Sequence, residues 1–285
     1  MRRLLVALVL VAACSGSSVE PDVGDVTETP ATNQPPSAAE PSRTTAMVQA
    51  QATLTEEVVV SGAYRQGVAR VDDGWIFSTN DGLFRVDEQL EQVAVAVPAL
   101  PAELTDRAFD HIGDIDVADD ILYAPVEQGD YGLGTQVMAR YDAETLVFID
   151  ATDVAQAHNA WVAVEPDTMT AYSMSGFGDS TILRYDIEAG WASLEPLLLD
   201  TFLDRVQGGD LWGGYLWLAT DDDIDGLYLV DLETGAVVPI GALAHVDGEG
   251  EGIDATDLDS GLLHAMSIDA KLLPVYFQHF RVDFG

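Results

Sequence analysis

The chain has 285 residues, 48% of them hydrophobic by type and 21% charged, enough for one large all-β domain or two small ones. Forty-nine Asp and Glu against twelve Lys and Arg give a formal net charge of −37, and Lys271 is the sole lysine. That field repels phosphate backbones and anionic headgroups, so it argues against nucleic-acid binding and suits cations, cationic partners or solubility in a salty exterior.

The first residues read as an export signal. Arg2 and Arg3 form a basic start, and Leu4 to Val11 an apolar run too short to cross a bilayer as a mature helix. The run closes on Val11-Ala12-Ala13-Cys14, which resembles a bacterial lipobox. The resemblance implies a signal peptide over 1–13, with Cys14 lipid-modified and the protein exported and anchored to the outer face of a bacterial membrane. An ordinary signal peptide that contains Cys14 is the alternative. Cys14 is the sole cysteine, so no disulfide can form within the chain. Residues 14–56 are rich in Ser, Thr, Pro, Ala, Glu and Gln without apolar periodicity, and read as a lipid-anchored disordered tether.

An ordered domain is expected over 57–285. Val58-Val59-Val60 opens it as a β-branched run. A strand-ending signature then recurs as Leu83-Phe84-Arg85-Val86-Asp87, Met138-Ala139-Arg140-Tyr141-Asp142, Ile182-Leu183-Arg184-Tyr185-Asp186, Leu227-Tyr228-Leu229-Val230-Asp231 and His279-Phe280-Arg281-Val282-Asp283. Upstream of each lies a strand with a central aromatic or near relative: Phe77, Tyr123, Tyr172, Trp217 and His264. The spacing of about 44 to 55 residues is that of a four-stranded propeller blade.

The first copy pairs Gly74–Thr79 with Gly82–Asp87 across an Asn80-Asp81 hairpin, with Val93–Val97 outside. The second, Asp110–Asp142, carries the acidic pair Asp114 and Asp116 ahead of the strand Ile121–Ala124, and Leu146–Ile149 closes it. The third runs from Ala157 to Asp186. The fourth runs from Val206 through Tyr215–Thr220 and Gly226–Asp231 to Ile240, and the fifth from Gly250 to Asp283. The fifth copy lacks an outer strand, which Val58-Val59-Val60 can supply. The predicted fold class is therefore all-β: a five-bladed β-propeller closed by an N-terminal strand that completes the last blade.

Innermost strands of a propeller converge on a central channel, so their starts carry the candidate site. Aligned copies place Asp116, Asp210 and Asp254 at equivalent positions, with Arg70 in the first copy and His158-Asn159-Ala160 close by in the third. Converging carboxylates need a cation or protons between them. Oxygen donors favour Ca²⁺, with Na⁺ or Mg²⁺ as competitors, while His111 and His158 leave zinc open. Aspartates that cap turns and bond amides between blades are the alternative, and spacing leaves both open. Trp75, Tyr123, Tyr172 and Trp217 recur at one blade position and read as core. Trp161, Trp191 and Trp212 fall in or near turns and are candidates for lining a mouth. There is no His-Glu-x-x-His spacing, Gly-x-Ser-x-Gly elbow or phosphate-binding loop.

Two resemblances add expectations. Asp114-Ile115-Asp116-Val117-Ala118-Asp119 followed by Asn159-Ala160-Trp161 is similar to the pattern of olfactomedin-type five-bladed propellers. It implies a buried structural Ca²⁺ held by Asp116, Asn159 and the Ala160 carbonyl, although the chain lacks that family's disulfide. Asp210 and Asp254 complete the predicted metal set. Gln66-Gly67-Val68, Ser78-Thr79 and Leu83-Phe84-Arg85-Val86-Asp87 look like the first blade of glutaminyl cyclotransferases, also five-bladed. That resemblance implies cyclisation of an N-terminal glutamine by a channel glutamate, with Glu251 in that role and Glu249 and Glu127 as rivals.

The function expected is a monomeric binding module that takes a polar or cationic ligand, or a protein, at one channel mouth. An enzyme of the cyclotransferase or hydrolase kind and a scaffold without a small-molecule site are the alternatives. Glu251 or Glu127 in a pocket beside aromatic walls favours the enzyme. A channel plugged by Asp116, Asn159 and an ion favours the binder or scaffold.

Overall fold

Runs of β-branched and aromatic residues separated by Gly, Asp and Asn turns fold as strands of mostly four to ten residues, because such side chains pack well on a pleated surface. The structure, a computed structural model, describes residues 49–245, 248–269 and 274–285. The expected signal peptide, Cys14 and the tether as far as residue 48 lie outside the described residues.

Strand β1 spans Gln51–Val60. The first blade is β2 (Gly67–Val71), β3 (Gly74–Thr79), β4 (Gly82–Asp87) and β5 (Gln92–Ala96). One short helix, α1 (Ala102–Thr105), leads to the second: β6 (Phe109–Ile112), β7 (Asp116–Ala118), β8 (Ile121–Gln128), β9 (Gln136–Asp142) and β10 (Phe148–Val154). The third has β11 (Ala163–Glu165), β12 (Thr170–Ser173), β13 (Gly178–Asp186), β14 (Ala192–Ser193) and β15 (Leu197–Asp204). The fourth has β16 (Val206–Trp212), β17 (Tyr215–Thr220), β18 (Gly226–Asp231) and β19 (Val237–Ala242). The fifth has β20 (Glu249–Asp254), β21 (Leu262–Ile268) and β22 (Val275–Asp283).

These form five antiparallel sheets in a ring, a five-bladed β-propeller. The fifth sheet has the order β1-β22-β21-β20, with Val58, Val59 and Val60 opposite Phe277, Tyr276 and Val275. The ring thus closes with a strand from the far end of the chain, which removes a free edge. β1 begins at Gln51, upstream of the boundary expected at residue 57. The ladder continues past a bulge between Leu54 and Glu56 to pair Gln51 with Asp283. The outer strand of the second blade starts later than expected, at Phe148, because Leu146 adopts a left-handed turn conformation at φ 59°.

Blades cohere through apolar packing between neighbours. Five buried clusters sit one at each blade interface, such as Trp75, Phe77, Met266 and Phe277 between the fifth and first blades. Each fully buried Phe, Leu or Ile contributes about 1.5–3 kcal/mol relative to exposure. The strand-ending aspartates explain the repeat signature. Oδ1 of Asp87, Asp142, Asp186 and Asp231 accepts backbone N–H bonds from the turn that follows, fixing the entry to the outer strand.

Candidate functional site

The inner strands β2, β6, β7, β11, β16 and β20 surround the propeller axis. In the second blade this strand is interrupted between β6 and β7, where Asp114 turns inward and bridges to Trp161. The Asp114 N–H donates to the Ala160 carbonyl at 2.8 Å, and its own carbonyl accepts the Val162 N–H. Its carboxyl accepts N–H bonds from Val68 (3.0 Å), Gly209 (3.1 Å) and Ile253 (3.2 Å). One residue of the second blade is therefore bonded to all four others. Close approach requires glycine around it: a Cβ on Gly67 would stand 2.5 Å from the Asp114 Cα. Complete burial pushes the Asp114 carboxyl well above the usual range, while the three amide donors pull the other way.

The recurring aspartates lie farther along the same strands. Asp116, Asp210 and Asp254 face Tyr123, Trp217 and His264 across their ladders, and Arg70 faces Trp75, so the four positions are equivalent. Oδ2 of each aspartate accepts an amide from the next blade: Val164 N at 2.6 Å, Ala255 N at 2.5 Å and Arg70 N at 2.6 Å respectively. Oδ1 accepts a local amide from Val117, Leu211 or Thr256. They are clamps between blades. Burial, with mutual repulsion behind it, raises Asp116 to about 7 and Asp210 to about 8, and raises Asp254 well above its ordinary value.

Each donor implied by the olfactomedin resemblance is bonded within the protein. Asp116 bonds Val164 and Val117, whereas Asn159 donates from Nδ2 to the Val137 carbonyl and accepts at Oδ1 from Gln156. The Ala160 carbonyl accepts the Asp114 N–H. Among the described residues, no group of three or more His, Cys, Asp or Glu is spaced to hold a metal ion.

At the opposite ends of the inner strands a cavity of about 290 Å³ opens at one mouth, lined from all five blades. It holds Gln66, Asp110, His111, Glu127, Gln128, Gly129, Tyr131, His158, Ala160, Phe177, Gln207, Asp221, Glu249 and Glu251. Glu251, Glu249 and Glu127, alternatives in the sequence, converge on this one space. Three β-bulges help to build it. The ladder slips by one residue at Asp110 in β6, at Gln207 in β16 and at Glu251-Gly252 in β20. Such bulges turn a side chain out of the strand's alternation.

Glu251 is 5% exposed, and among the described residues its carboxyl accepts no hydrogen bond and forms no ion pair. Burial, reinforced by Glu249 and Asp221, holds its pKa well above the ordinary value. Glu127 accepts the Asn159 N–H, and burial raises it to about 7. His158 Nδ1 stands 3.5 Å from Glu127 Oε1 without hydrogen-bond geometry, and burial lowers the imidazole to about 4, so it is neutral. His111 Nδ1 lies 3.1 Å from the side-chain amide of Asn80. Tyr131, His158 and Phe177 pack as one aromatic wall, the His158 and Phe177 centroids 4.0 Å apart.

None of the three tryptophans expected at a mouth lines this cavity. Trp161 is fully buried against Gly209, where a Cβ would stand 2.5 Å from the indole. Trp191 packs on Tyr123 and Tyr185, and Trp212 on Phe284. The aromatic wall comes instead from Tyr131 and Phe177, on loops between strands. No known protein-family model matches the chain, and no curated protein matches it.

Proposed function

We propose that the chain is a binding module whose mouth pocket takes a polar, cationic ligand. Glu251 carries this reading: among the described residues it is a buried carboxyl without a hydrogen-bond or ion-pair partner, in a cavity whose described lining holds five carboxyl side chains and no Lys or Arg. A dehydrated carboxylate is costly unless a positive N–H donor, or a proton, satisfies it. Thermal-shift and calorimetric titration of the full-length chain with ammonium, guanidinium and neutral solutes at pH 8 tests the reading. Cations should saturate and stabilise the protein, and Glu251→Gln should weaken them; silence across the panel would sink it. In this reading the module is exported and held on the outer face of a bacterial membrane through Cys14. A Cys14→Ser variant that stayed in the membrane fraction would remove that part.

A second reading, a carboxylate enzyme, draws support from Glu251 and Glu127 sharing one cavity with Tyr131 and Phe177. A carboxylic acid raised to about 7 can give and take a proton near neutrality. Ammonia release from peptides with an N-terminal glutamine, abolished by Glu251→Gln, would select this reading. No release above the blank would remove it.

A further inference from the structure

The mouth pocket carries carboxyls on both sides, Asp110 and Glu127 on the second blade included, and aromatic rings on one. Toward the fourth and fifth blades stand Asp221, Glu249 and Glu251, the last without a hydrogen-bond partner among the described residues; Arg65 lies within electrostatic reach of Glu251 but does not line the cavity. Toward the second and third blades stand Tyr131, His158 and Phe177, whose ring centroids are 4.0–5.4 Å apart. Tyr131 and Phe177 are 37% and 51% exposed, so each keeps a surface free for an occupant. The rings pack on one another and present a single wall. Quaternary ammonium ions are held differently, by several aromatic faces boxing the charge. They also carry no N–H for a carboxylate to accept. The volume of about 290 Å³ lies at the bottom of the range of small-molecule sites, which limits the occupant to one compact group.

We infer that the occupant is a protonated primary or secondary amine on a compact aromatic or aliphatic body, its N–H groups on Glu251 and its body against Tyr131 and Phe177. The inference rests on the binding reading above and names the ligand class for it. Recognition by a donated hydrogen bond rejects analogues that lack the donor, because the buried acceptor is then left unpaired. Contact with the aromatic wall rejects small amines that leave the wall in water.

Isothermal titration of the full-length chain at pH 8 compares phenethylammonium with its N-trimethyl analogue, with phenethyl alcohol and with ethylammonium. Phenethylammonium should bind at least about tenfold more tightly than the trimethyl analogue and than ethylammonium, and the alcohol should be silent. Glu251→Gln should lower phenethylammonium affinity by about tenfold or more, its melting temperature reporting that it folds. Phe177→Ala, which removes a half-exposed ring, should bring phenethylammonium toward ethylammonium. If the trimethyl analogue or ethylammonium binds as well as phenethylammonium, the ligand class is overturned and the binding reading stands. If no cation binds, the binding reading falls and takes the class with it.

Discussion

Asp254 and Glu251 lie three residues apart on β20, both buried and both raised well above the ordinary carboxyl pKa. They belong to opposite ends of the propeller axis and do different work. Asp254, like Asp116, Asp210 and the central Asp114, spends its oxygens on backbone amides, at least one of them in another blade. Among the described residues Glu251 accepts no hydrogen bond, and Arg65 reaches it only through its charge. Burial and pKa direction therefore fail to separate a structural acid from a candidate binding acid here. The hydrogen-bond partners separate them.

The largest effect expected on this contrast is at its structural pole. Asp114→Ala orphans three buried N–H groups, of Val68, Gly209 and Ile253, at about 1–3 kcal/mol each. Chemical denaturation should show a loss on the order of 4 kcal/mol and a melting point lower by roughly 10 °C. A loss below about 1 kcal/mol would mean that the axis is held by apolar packing alone.

Next comes pH. Glu127 is raised from 4.5 to about 7 in the folded state, so the folded chain binds the extra proton. Its contribution is fully present below about 4.5 and is lost as pH rises through 7; Asp116 and Asp210 act with the same sign. Melting temperature should peak on the acid side of neutrality and decline toward pH 8. Glu127→Gln should remove a share on the order of 3 kcal/mol of that decline. A stability curve that rises between pH 5 and 8 would contradict these assignments.

A smaller effect tests the two carboxyls of β20 directly. Asp254→Ala should cost about 1–3 kcal/mol by freeing the Arg70 amide, whereas Glu251→Gln should be neutral or stabilising. Equal losses in urea titrations would erase the distinction. The smallest effect concerns metal. EDTA should shift the melting temperature by less than about 1 °C if the clamps between blades hold the axis without an ion. A Ca²⁺-dependent rise that Asp116→Ala abolishes would restore the ion and displace the clamp.

The repeat was legible because its physics is local. An apolar strand, a polar turn and an aspartate that caps the turn recur in sequence, so β3, β4, β17 and β18 lie where the pattern puts them. Closure by Val58–Val60 followed from a missing outer strand. Asp114 stands out in the sequence only as half of the pair with Asp116, and its place at the centre is hidden for the opposite reason: it occurs once, whereas Asp116 has counterparts. The bulges at Asp110, Gln207 and Glu251 were also hidden, because one inserted residue in a short strand leaves composition and spacing nearly unchanged. Glycines beside Gln207 and Glu251 were the available signal. The mouth tryptophans misled because a turn in sequence can still be wrapped inside the ring, as Trp161 is.

Ring closure by β1 also sets an order of events during synthesis. Thr55 donates to the carbonyl of His279, 224 positions later, so β1 waits for β22. Until β22 is in place, β1 has no ladder to join. Contacts that distant form slowly, because the whole intervening chain must be gathered before they give any return. The bond that finishes the propeller is therefore also the step that decides how long the newborn chain remains exposed to self-association.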